Sequence, residues 1–422
     1  MFSEEGGLSE VKTKAQAARR AAREVAVLSS DVKDQALLAM ADALQSETAR
    51  ILEANALDLE RAREAGITGA LLDRLTLTPE RVESMAQGLR DIAALDDPVG
   101  KVNRMWRRPN GLKIGQVQVP LGVIAIIYEA RPNVTVDAAG LCLKAGNTVV
   151  LRGGSEAIES NRCIASIIGP AAEGEGIPAG SIALIENTDR KAAQMLMRLS
   201  GTVDVIIPRG GAGLIRTVME TATVPVIETG VGNCHIYVEK SADLDMAKAI
   251  VINAKTQRPG VCNAVETLLV DESIAPAFIP QMVKELQEHT VEVRGCKGVM
   301  DLATGVHPAS TEDWHTEYLD YIIAIRLVSG FEEALDHIHQ YGSGHSEAII
   351  TENYGVGHSF VDKVDAAAVY INASTRFTDG AAFGLGAEIG ISTQKLHARG
   401  PMGLADLTST KFIIYGNGHI RP

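Results

Sequence analysis

The sequence predicts an α/β fold built from two doubly wound parallel-sheet domains and a small additional β element. Runs of β-branched residues alternate with amphipathic helices after residue 120, and the alternation starts again after residue 256. Continuous apolar strands of this kind are typical of parallel sheets that crossover helices bury on both faces. The chain of 422 residues is long enough for two or three such domains. This architecture is typical of nucleotide-binding proteins.

The first hundred residues predict a helical layer. Between residues 8 and 95, Ala, Leu and Met recur at three- and four-residue spacing, and Gly66 and Thr78-Pro79 divide the pattern into separate helices. Asn110-Gly111 then predicts a tight hairpin whose pairing Pro120 interrupts. We interpret it as an edge hairpin, of the kind that a partner subunit often covers.

Two alternating series follow the hairpin. The strands of the first series are expected at residues 123–127, 148–151, 182–185, 203–207 and 226–227. Those of the second series are expected at 267–270, near 291, and at 321–327, 348–350 and 368–371, with a final strand at 410–415. Because a helix at 244–254 separates the two series, we expect a domain boundary near residue 256.

The composition disfavours several classes of protein. Lys+Arg 40 against Asp+Glu 53 gives a net charge of −13, and without a basic run this disfavours nucleic-acid and membrane-surface partners. No apolar run approaches the roughly 20 residues of a membrane helix, and the acidic N-terminus does not match a signal peptide. The five cysteines lie far apart, so we expect neither disulfides nor a metal site, and a cytoplasmic location.

Two predicted strand-to-helix turns are rich in glycine, residues 151–155 (LRGGS) and 208–213 (PRGGAG). Glycines at the start of a helix let phosphate oxygens approach backbone N–H groups, and the neighbouring arginines add positive charge. Neither turn matches G-x-G-x-x-G or the P-loop pattern. A role as tight connecting turns is therefore an equal alternative.

Cys262 differs from the other cysteines in its surroundings. It lies in a glycine-containing loop at the expected domain boundary, with the cations Lys255 and Arg258 close in sequence. Such surroundings lower the pKa of a thiol and leave it accessible, as a nucleophile requires. The other cysteines are expected to be structural, two in apolar helix faces and two in turn-like stretches: Cys142 and Cys163, then Cys234 and Cys296.

Further polar residues have a functional and a plain interpretation. Asn133 follows the first strand of the parallel series and is either a helix N-cap or an amide donor to an oxyanion. Glu228 and Glu317 are candidates for a general base and a ribose ligand, or are solvated charges. His345 is expected to hydrogen-bond locally rather than to serve a cysteine hydrolase. The glycine-rich stretch 377–386 is either a substrate loop or a mobile connection.

Taken together, these segments resemble the γ-glutamyl phosphate reductase (glutamate-5-semialdehyde dehydrogenase) family of proline biosynthesis, a divergent branch of the aldehyde dehydrogenase superfamily. The resemblance runs from the N-terminal helices to the last strand. Its most specific segments are residues 128–135 (YEARPNVT), 151–154 (LRGG), 253–259 (NAKTQRP), Cys262-Asn263, His337-Ile338, 342–347 (GSGHSE) and 372–380 (NASTRFTDG).

The resemblance implies an aldehyde dehydrogenase-like fold and a domain plan. Residues 1–103 and 121–255 would form an NADP-binding domain, and residues 256–395 a catalytic domain. Residues 104–120 and 396–422 would form an oligomerisation hairpin and tail, so that a homo-oligomer is expected.

The resemblance also implies roles for individual residues. Cys262 matches the catalytic cysteine, and Asn133 matches the oxyanion-hole asparagine. Glu228 matches the base that activates water in hydrolytic aldehyde dehydrogenases, and we expect it not to do so here, because hydrolysis would waste the activated substrate. The motifs do not fix the groups that bind the substrate; Arg376 and Ser374 are the candidates, and Arg376 is chosen for its charge and for a guanidinium that suits a carboxylate. The residues expected to bind NADPH or NADP are Arg152, Gly153, Ser155, Gly210, Gly211 and Glu317.

The implied reaction is the NADPH-dependent reduction of L-glutamyl 5-phosphate to L-glutamate 5-semialdehyde and phosphate, through a thioester on Cys262. It is the second step of proline biosynthesis from glutamate, with a glutamate 5-kinase as a candidate for handing over the substrate. The alternatives are another NAD(P)-dependent acylating or hydrolytic aldehyde dehydrogenase, a cysteine hydrolase using Cys262 and His345, and a nucleotide-binding regulatory protein. The glycine turns and Arg152 argue against the hydrolase, and Cys262 with Asn133 argues against binding alone.

Overall fold

The computed structural model describes the backbone of residues 4–421 and the side chains of residues 9–69 and 71–421. The helices of this part are α1 Glu4–Val25, α2 Ser30–Ser46, α3 Thr48–Glu64, α4 Gly69–Leu75, α5 Pro79–Ala93, α6 Asn133–Lys144, α7 Ile158–Gly174, α8 Arg190–Met197, α9 Ala212–Thr221, α10 Leu244–Thr256, α11 Ala275–Glu288, α12 Lys297–Leu302, α13 Thr311–His315, α14 Phe331–Tyr341 and α15 Tyr354–Lys363. The strands are β1 Val102–Arg107, β2 Lys113–Pro120, β3 Val123–Tyr128, β4 Thr148–Arg152, β5 Ile182–Leu184, β6 Val205–Arg209, β7 Cys234–Val238, β8 Val265–Asp271, β9 Glu292–Gly295, β10 His307–Pro308, β11 Ile322–Val328, β12 Ser346–Ile350, β13 Ala368–Ile371, β14 Ile391–Ser392, β15 Gly400–Pro401 and β16 Thr408–Tyr415.

The chain divides into two compact units. Unit 1 comprises the chain up to Thr229, Gly384–Gly390 and the chain from Met402 onward, and unit 2 comprises Gly230–Phe383 and Ile391–Pro401. The division after Thr229 corrects the boundary expected near residue 256. Strand β7, which the sequence pattern did not predict, pairs with β8 and β12, so the segment before residue 256 belongs with the second sheet.

Unit 1 contains a parallel sheet in the order β5-β4-β3-β6. Strand β3 is buried along its whole length, as its continuous β-branched run predicts. Helix α1 contributes Val11, Ala15 and Ala18 to the core on β3. The strand predicted at 226–227 is reduced to a bridge between Ile206 and Val226.

Unit 1 also carries a small antiparallel sheet in the order β1-β2-β16. The hairpin predicted at Asn110-Gly111 is present, and β2 ends at Pro120. However, β2 is not an edge strand, because β16 pairs with it over its full length from Pro120 opposite Thr408 to Lys113 opposite Tyr415. The tail of the same chain therefore covers the β2 side of the hairpin, whereas β1 is an outer strand of this sheet.

Unit 2 contains a parallel sheet in the order β10-β9-β11-β8-β7-β12-β13. One face packs on α10 and α11, through Val251, Phe278 and Met282. The other face packs on α14 and α15, through Leu335 and Phe360. The strands predicted between residues 267 and 371 are thus present, and the sheet also contains β7 and the outer strand β10, which were not predicted. The final strand predicted at 410–415 lies in the sheet of unit 1 as β16.

The described residues contain neither a helix of membrane-spanning character nor a metal-binding cluster. None of the helices in residues 4–421 is long and apolar enough to cross a membrane. The described side chains, those of residues 9–69 and 71–421, include no cluster of three or more His, Cys, Asp or Glu arranged to bind a metal ion.

Candidate active site

Cys262 lies half-buried in the loop of unit 2 between α10 and β8. The backbone of Gly232 passes so close that a Cβ there would lie 1.6 Å from the carbonyl oxygen of Cys262. The thiol of Cys234 donates to the same carbonyl oxygen at 3.2 Å. Only glycine at position 232 therefore permits this close packing of the segment before β7 against the backbone of Cys262.

Cys234 was expected in a turn-like stretch, but it is the first residue of β7 and is fully buried. Burial raises the pKa of its thiol well above the ordinary range, so the group stays protonated and can donate. Cys234 therefore makes a buried packing contact whose partner is the backbone of Cys262.

Lys255 does not provide the free positive charge that we expected beside Cys262. Its ammonium group is fully buried and donates to Oε2 of Glu266, also fully buried, at 2.6 Å. Glu266 also accepts a hydrogen bond from the backbone N–H of Leu319 at 3.3 Å. The charge of Lys255 is therefore neutralised by its partner, whereas Arg258 is exposed to solvent.

Glu317 lies close to the Cys262 loop within unit 2. Its Oε1 accepts a 2.8 Å hydrogen bond from the backbone N–H of Gly232, the residue that packs against Cys262. The structure thus brings Glu317 and Cys262 to the two sides of one glycine, although they are far apart in sequence. The ribose contact expected of Glu317 remains a prediction.

The substrate-binding candidates have structural partners inside unit 2. The Arg376 guanidinium donates to Gln257 and to Asn263, the residue after Cys262. Ser374 is buried and accepts a 3.3 Å hydrogen bond from the backbone N–H of Arg376, which caps a short helical turn. Both residues therefore lie beside the Cys262 loop, and their contact with substrate remains a prediction.

His345 hydrogen-bonds locally, as predicted. Its Nδ1 lies 2.8 Å from Oγ of Ser346 and 3.7 Å from Sγ of Cys234. Burial lowers its pKa to about 4, so the ring is neutral at physiological pH and a weak base. This environment does not support the cysteine hydrolase alternative.

Arg152 ends strand β4 in unit 1, at the first glycine-rich turn. Its Nη2 donates to the carbonyl oxygens of Thr188 and Asp189, the second at 3.3 Å, which fixes the half-buried guanidinium. A Cβ on Gly153 would lie 2.3 Å from Nδ2 of Asn161, so packing also requires this glycine. Ser155 is exposed and begins a short 3₁₀ turn before α7.

The second glycine turn has a carboxylate at the start of its helix. Oε2 of Glu129 accepts a 2.9 Å hydrogen bond from the backbone N–H of Gly211, which precedes α9. A Cβ on Gly210 would lie 2.6 Å from the carboxyl carbon of Glu129. The N-terminus of α9 therefore already holds an anion from the chain itself, and contact of Gly210 and Gly211 with cofactor remains a prediction.

Asn133 is the first residue of α6 in unit 1 and is exposed. Its Nδ2 donates to Oδ2 of Asp137, one turn later, at 2.9 Å. Burial raises the pKa of Asp137 to about 6. This bond orients the Asn133 amide.

Glu228 is half-buried and follows the bridge at Val226.

Sequence reasoning missed the hydrogen-bonding roles of Glu129 in unit 1 and of Cys234, Glu266 and Asn263 in unit 2. Asn263 and Glu129 stand inside the motifs of the resemblance, next to residues that were singled out, and this proximity was the available signal. The roles of Cys234 and Glu266 depend on contacts between separate segments, which no local pattern encodes.

These observations agree with the comparison to known proteins. The profile of the aldehyde dehydrogenase family matches residues 3–322. An acetylating aldehyde dehydrogenase from Geobacillus thermoglucosidasius has the same fold, with 21% identity, 99% of this chain and 98% of that chain covered, and a TM-score of 0.72. The chain belongs to the aldehyde dehydrogenase family, whose members use nicotinamide cofactors.

Proteins with much higher sequence identity to this chain place it in one group within the family. A γ-glutamyl phosphate reductase from Moorella thermoacetica is 62% identical over 98% of this chain and 99% of its own length. The crystal structure of a γ-glutamyl phosphate reductase from Thermotoga maritima has 52% identity and a TM-score of 0.95, and the match covers 98% of this chain and 100% of that chain. Within its family the chain therefore groups with the γ-glutamyl phosphate reductases.

Proposed function

We propose that the chain catalyses the NADPH-dependent reduction of L-glutamyl 5-phosphate to L-glutamate 5-semialdehyde and phosphate, the second step of proline biosynthesis from glutamate. The observation that carries the proposal is the identity of 62% with a γ-glutamyl phosphate reductase over nearly the whole of both chains. The half-buried Cys262 in its packed loop supports it, since an acyl phosphate is a good acceptor for a thiolate.

The Cys262 thiolate attacks the acyl carbon of the substrate and forms a C–S bond. The C–O bond to phosphate breaks as the oxyanion collapses, and a thioester remains. We assign Asn133 to stabilising the oxyanion, on its match to the family motif, through its side-chain N–H. NADPH supplies the hydride that reduces the thioester carbon, after which the C–S bond breaks and the aldehyde leaves.

We assign cofactor binding to the turn at Arg152, Gly153 and Ser155, to Gly210 and Gly211, and to Glu317. The preference for NADPH rests on Arg152, because a guanidinium held by two carbonyl oxygens is preorganised for the additional phosphate of that cofactor. Ser374 keeps its predicted contact with the glutamyl substrate as a second, separable assignment, whereas Arg376 is assigned a different role because of its contacts with Gln257 and Asn263.

We also propose that the protein is a cytoplasmic homo-oligomer. The sheet of β1, β2 and β16 supports the oligomer, since it exposes large apolar side chains at Met105, Phe412 and Ile414. Because acyl phosphates hydrolyse readily, a glutamate 5-kinase that hands its product over directly would protect the substrate.

The reverse reaction tests the proposed function. The enzyme is mixed with glutamate 5-semialdehyde, NADP⁺ and inorganic phosphate, and NADPH is followed by its absorbance, with a control that lacks phosphate. We expect steady turnover only with phosphate. Sustained NADPH formation without phosphate would instead identify a hydrolytic aldehyde dehydrogenase.

A further inference from the structure

The residue after the nucleophile is held by a segment from a distant part of unit 2. Asn263 is buried, and its Nδ2 donates to the carbonyl oxygen of Thr378 at 2.8 Å. Its own carbonyl oxygen accepts a 2.7 Å hydrogen bond from Oγ1 of Thr375, which is fully buried. The backbone of Cys262 is therefore followed by a residue fixed through both its side chain and its main chain.

Arg376 connects the two ends of the loop that carries Cys262. Its Nε donates to Oε1 of Gln257 at 2.9 Å, and its Nη1 donates to Oδ1 of Asn263. Gln257 directly follows α10, and Asn263 directly follows Cys262. Because the guanidinium is planar and rigid, these two bonds fix the distance between the ends of the loop.

The segment that contains Arg376 is itself attached to the sheet of unit 2. Oγ1 of Thr378 lies 2.6 Å from Oγ of Ser346, the first residue of β12. The same oxygen lies 2.7 Å from the hydroxyl of Tyr370 on β13. A continuous set of hydrogen bonds thus runs from two strands, through Thr378, to Asn263, which the peptide bond joins to Cys262.

We propose that Arg376 and Asn263 form a clamp that positions Cys262 for attack, and that Arg376 is a positioning residue rather than the carboxylate ligand. The inference rests on the proposed function only in taking Cys262 as the nucleophile. Two N–H groups of Arg376 are already directed at the loop, and its half-buried position follows from that contact. A nucleophile displaced by about 1 Å loses on the order of 10²-fold in rate, so the clamp acts on kcat.

The test compares Arg376→Gln, Asn263→Ala and the double variant with the wild-type enzyme. In the reverse reaction, each single variant should lower kcat by about 10- to 100-fold and change the KM for semialdehyde by less than about threefold. The double variant should be no slower than the slower single variant, because both changes open the same clamp. Lys395→Gln, which removes an exposed ion pair with Asp365 in the same unit, is the matched control and should leave both constants unchanged.

A second measurement does not depend on activity. Backbone hydrogen exchange over residues 257–264, without substrate, should become about tenfold faster in both single variants and stay unchanged in Lys395→Gln. If Asn263→Ala is too unstable for kinetics, Asn263→Asp is used in its place. This variant keeps the acceptor for Arg376, and its exchange rate over residues 257–264 should lie between those of wild type and Asn263→Ala. The proposal is overturned if Arg376→Gln raises the KM tenfold or more while kcat and the exchange of 257–264 stay at wild-type values. Because exchange is measured without turnover, failure of the proposed reaction leaves this result interpretable.

Discussion

The ammonium group of Lys255 and the carboxylate of Glu266 form a fully buried ion pair, with 2.6 Å between Nζ and Oε2. Lys255 lies in the last turn of α10 and Glu266 in β8, so the pair joins the two elements that flank the Cys262 loop. Replacing one member leaves a buried charge without its partner. Loss of a single partner from such a pair typically costs about 3–5 kcal/mol.

We expect Lys255→Met to lower the free energy of unfolding by about 3–5 kcal/mol, measured from urea unfolding. The double variant Lys255→Met/Glu266→Leu should recover most of the loss, because both charges are then removed together. A single variant as stable as wild type would show that the pair carries no stabilising interaction.

Cys262→Ala should reduce turnover by a factor on the order of 10⁴ or more, since the thioester cannot form. The turnover of Cys234→Ala should fall only about fivefold, which corresponds to the loss of one hydrogen bond to the carbonyl oxygen of Cys262. Iodoacetamide should modify Cys262 faster than Cys234, because Cys234 is fully buried and burial raises its pKa. Equal losses in the two variants would contradict the assignment of the nucleophile.

Glu228→Gln tests whether this residue activates water. Turnover of the variant should stay within about tenfold of wild type, since removal of a true general base costs about 10²–10⁴-fold. The comparison is made in the phosphate-dependent assay. A loss of turnover as large as that of Cys262→Ala would contradict our expectation that Glu228 does not activate water.

Arg152→Ala should raise the KM for NADPH by about 10- to 100-fold, the value of one to two charge-assisted hydrogen bonds. The KM for NADH, which lacks the additional phosphate, should change by less than about threefold. Arg162→Ala, a partly exposed arginine on α7 of the same unit, serves as the control. Equal effects on both cofactors would show that Arg152 does not select between them.

The burial of His337 should make the stability of the fold sensitive to acid. Burial among Trp314, His235 and Tyr341 lowers its pKa to about 3, from an ordinary value of 6.5. The unfolded chain then binds a proton below pH 6.5 that the folded chain does not, so stability falls as the pH drops through this window. From pH 7 to pH 5 this one group should cost about 2 kcal/mol. His337→Phe should show a smaller fall in unfolding midpoint over that range, and an equal fall would contradict the assignment.

The strands that the sequence predicted are those with continuous apolar runs. β3 and β8 are buried throughout and β11 over more than half of its length, so composition alone identifies them. β7 was missed because it begins with Cys234 and His235, polar residues that the fold accommodates by contacts elsewhere. His235 donates its backbone N–H to Glu347 at 2.9 Å, and its ring nitrogen lies 3.0 Å from the same carboxylate.

Features of the candidate site could be predicted where they depend on residues close together in the sequence. They could not be predicted where they depend on a partner from another element of the fold. Cys262 was singled out because its own loop has an unusual composition, and its role as nucleophile stays a prediction. Lys255 was misjudged because its buried partner, Glu266, lies across the loop on β8. At the glycine turn of Gly211, where cofactor contact stays a prediction, the sequence did not reveal that the carboxylate of Glu129, just after β3, accepts a hydrogen bond from the N–H of Gly211. In each case the missing information is the second member of a tertiary contact.

The central claim, acyl transfer through Cys262 to phosphate, is tested most directly by rapid mixing without phosphate. The enzyme is combined with glutamate 5-semialdehyde and NADP⁺, NADPH is recorded from the first milliseconds, and the intact mass of the quenched protein is determined. We predict a burst of NADPH equal to the enzyme concentration, a glutamyl adduct on Cys262, and turnover only after phosphate is added. Steady NADPH formation without a burst or adduct would contradict the account.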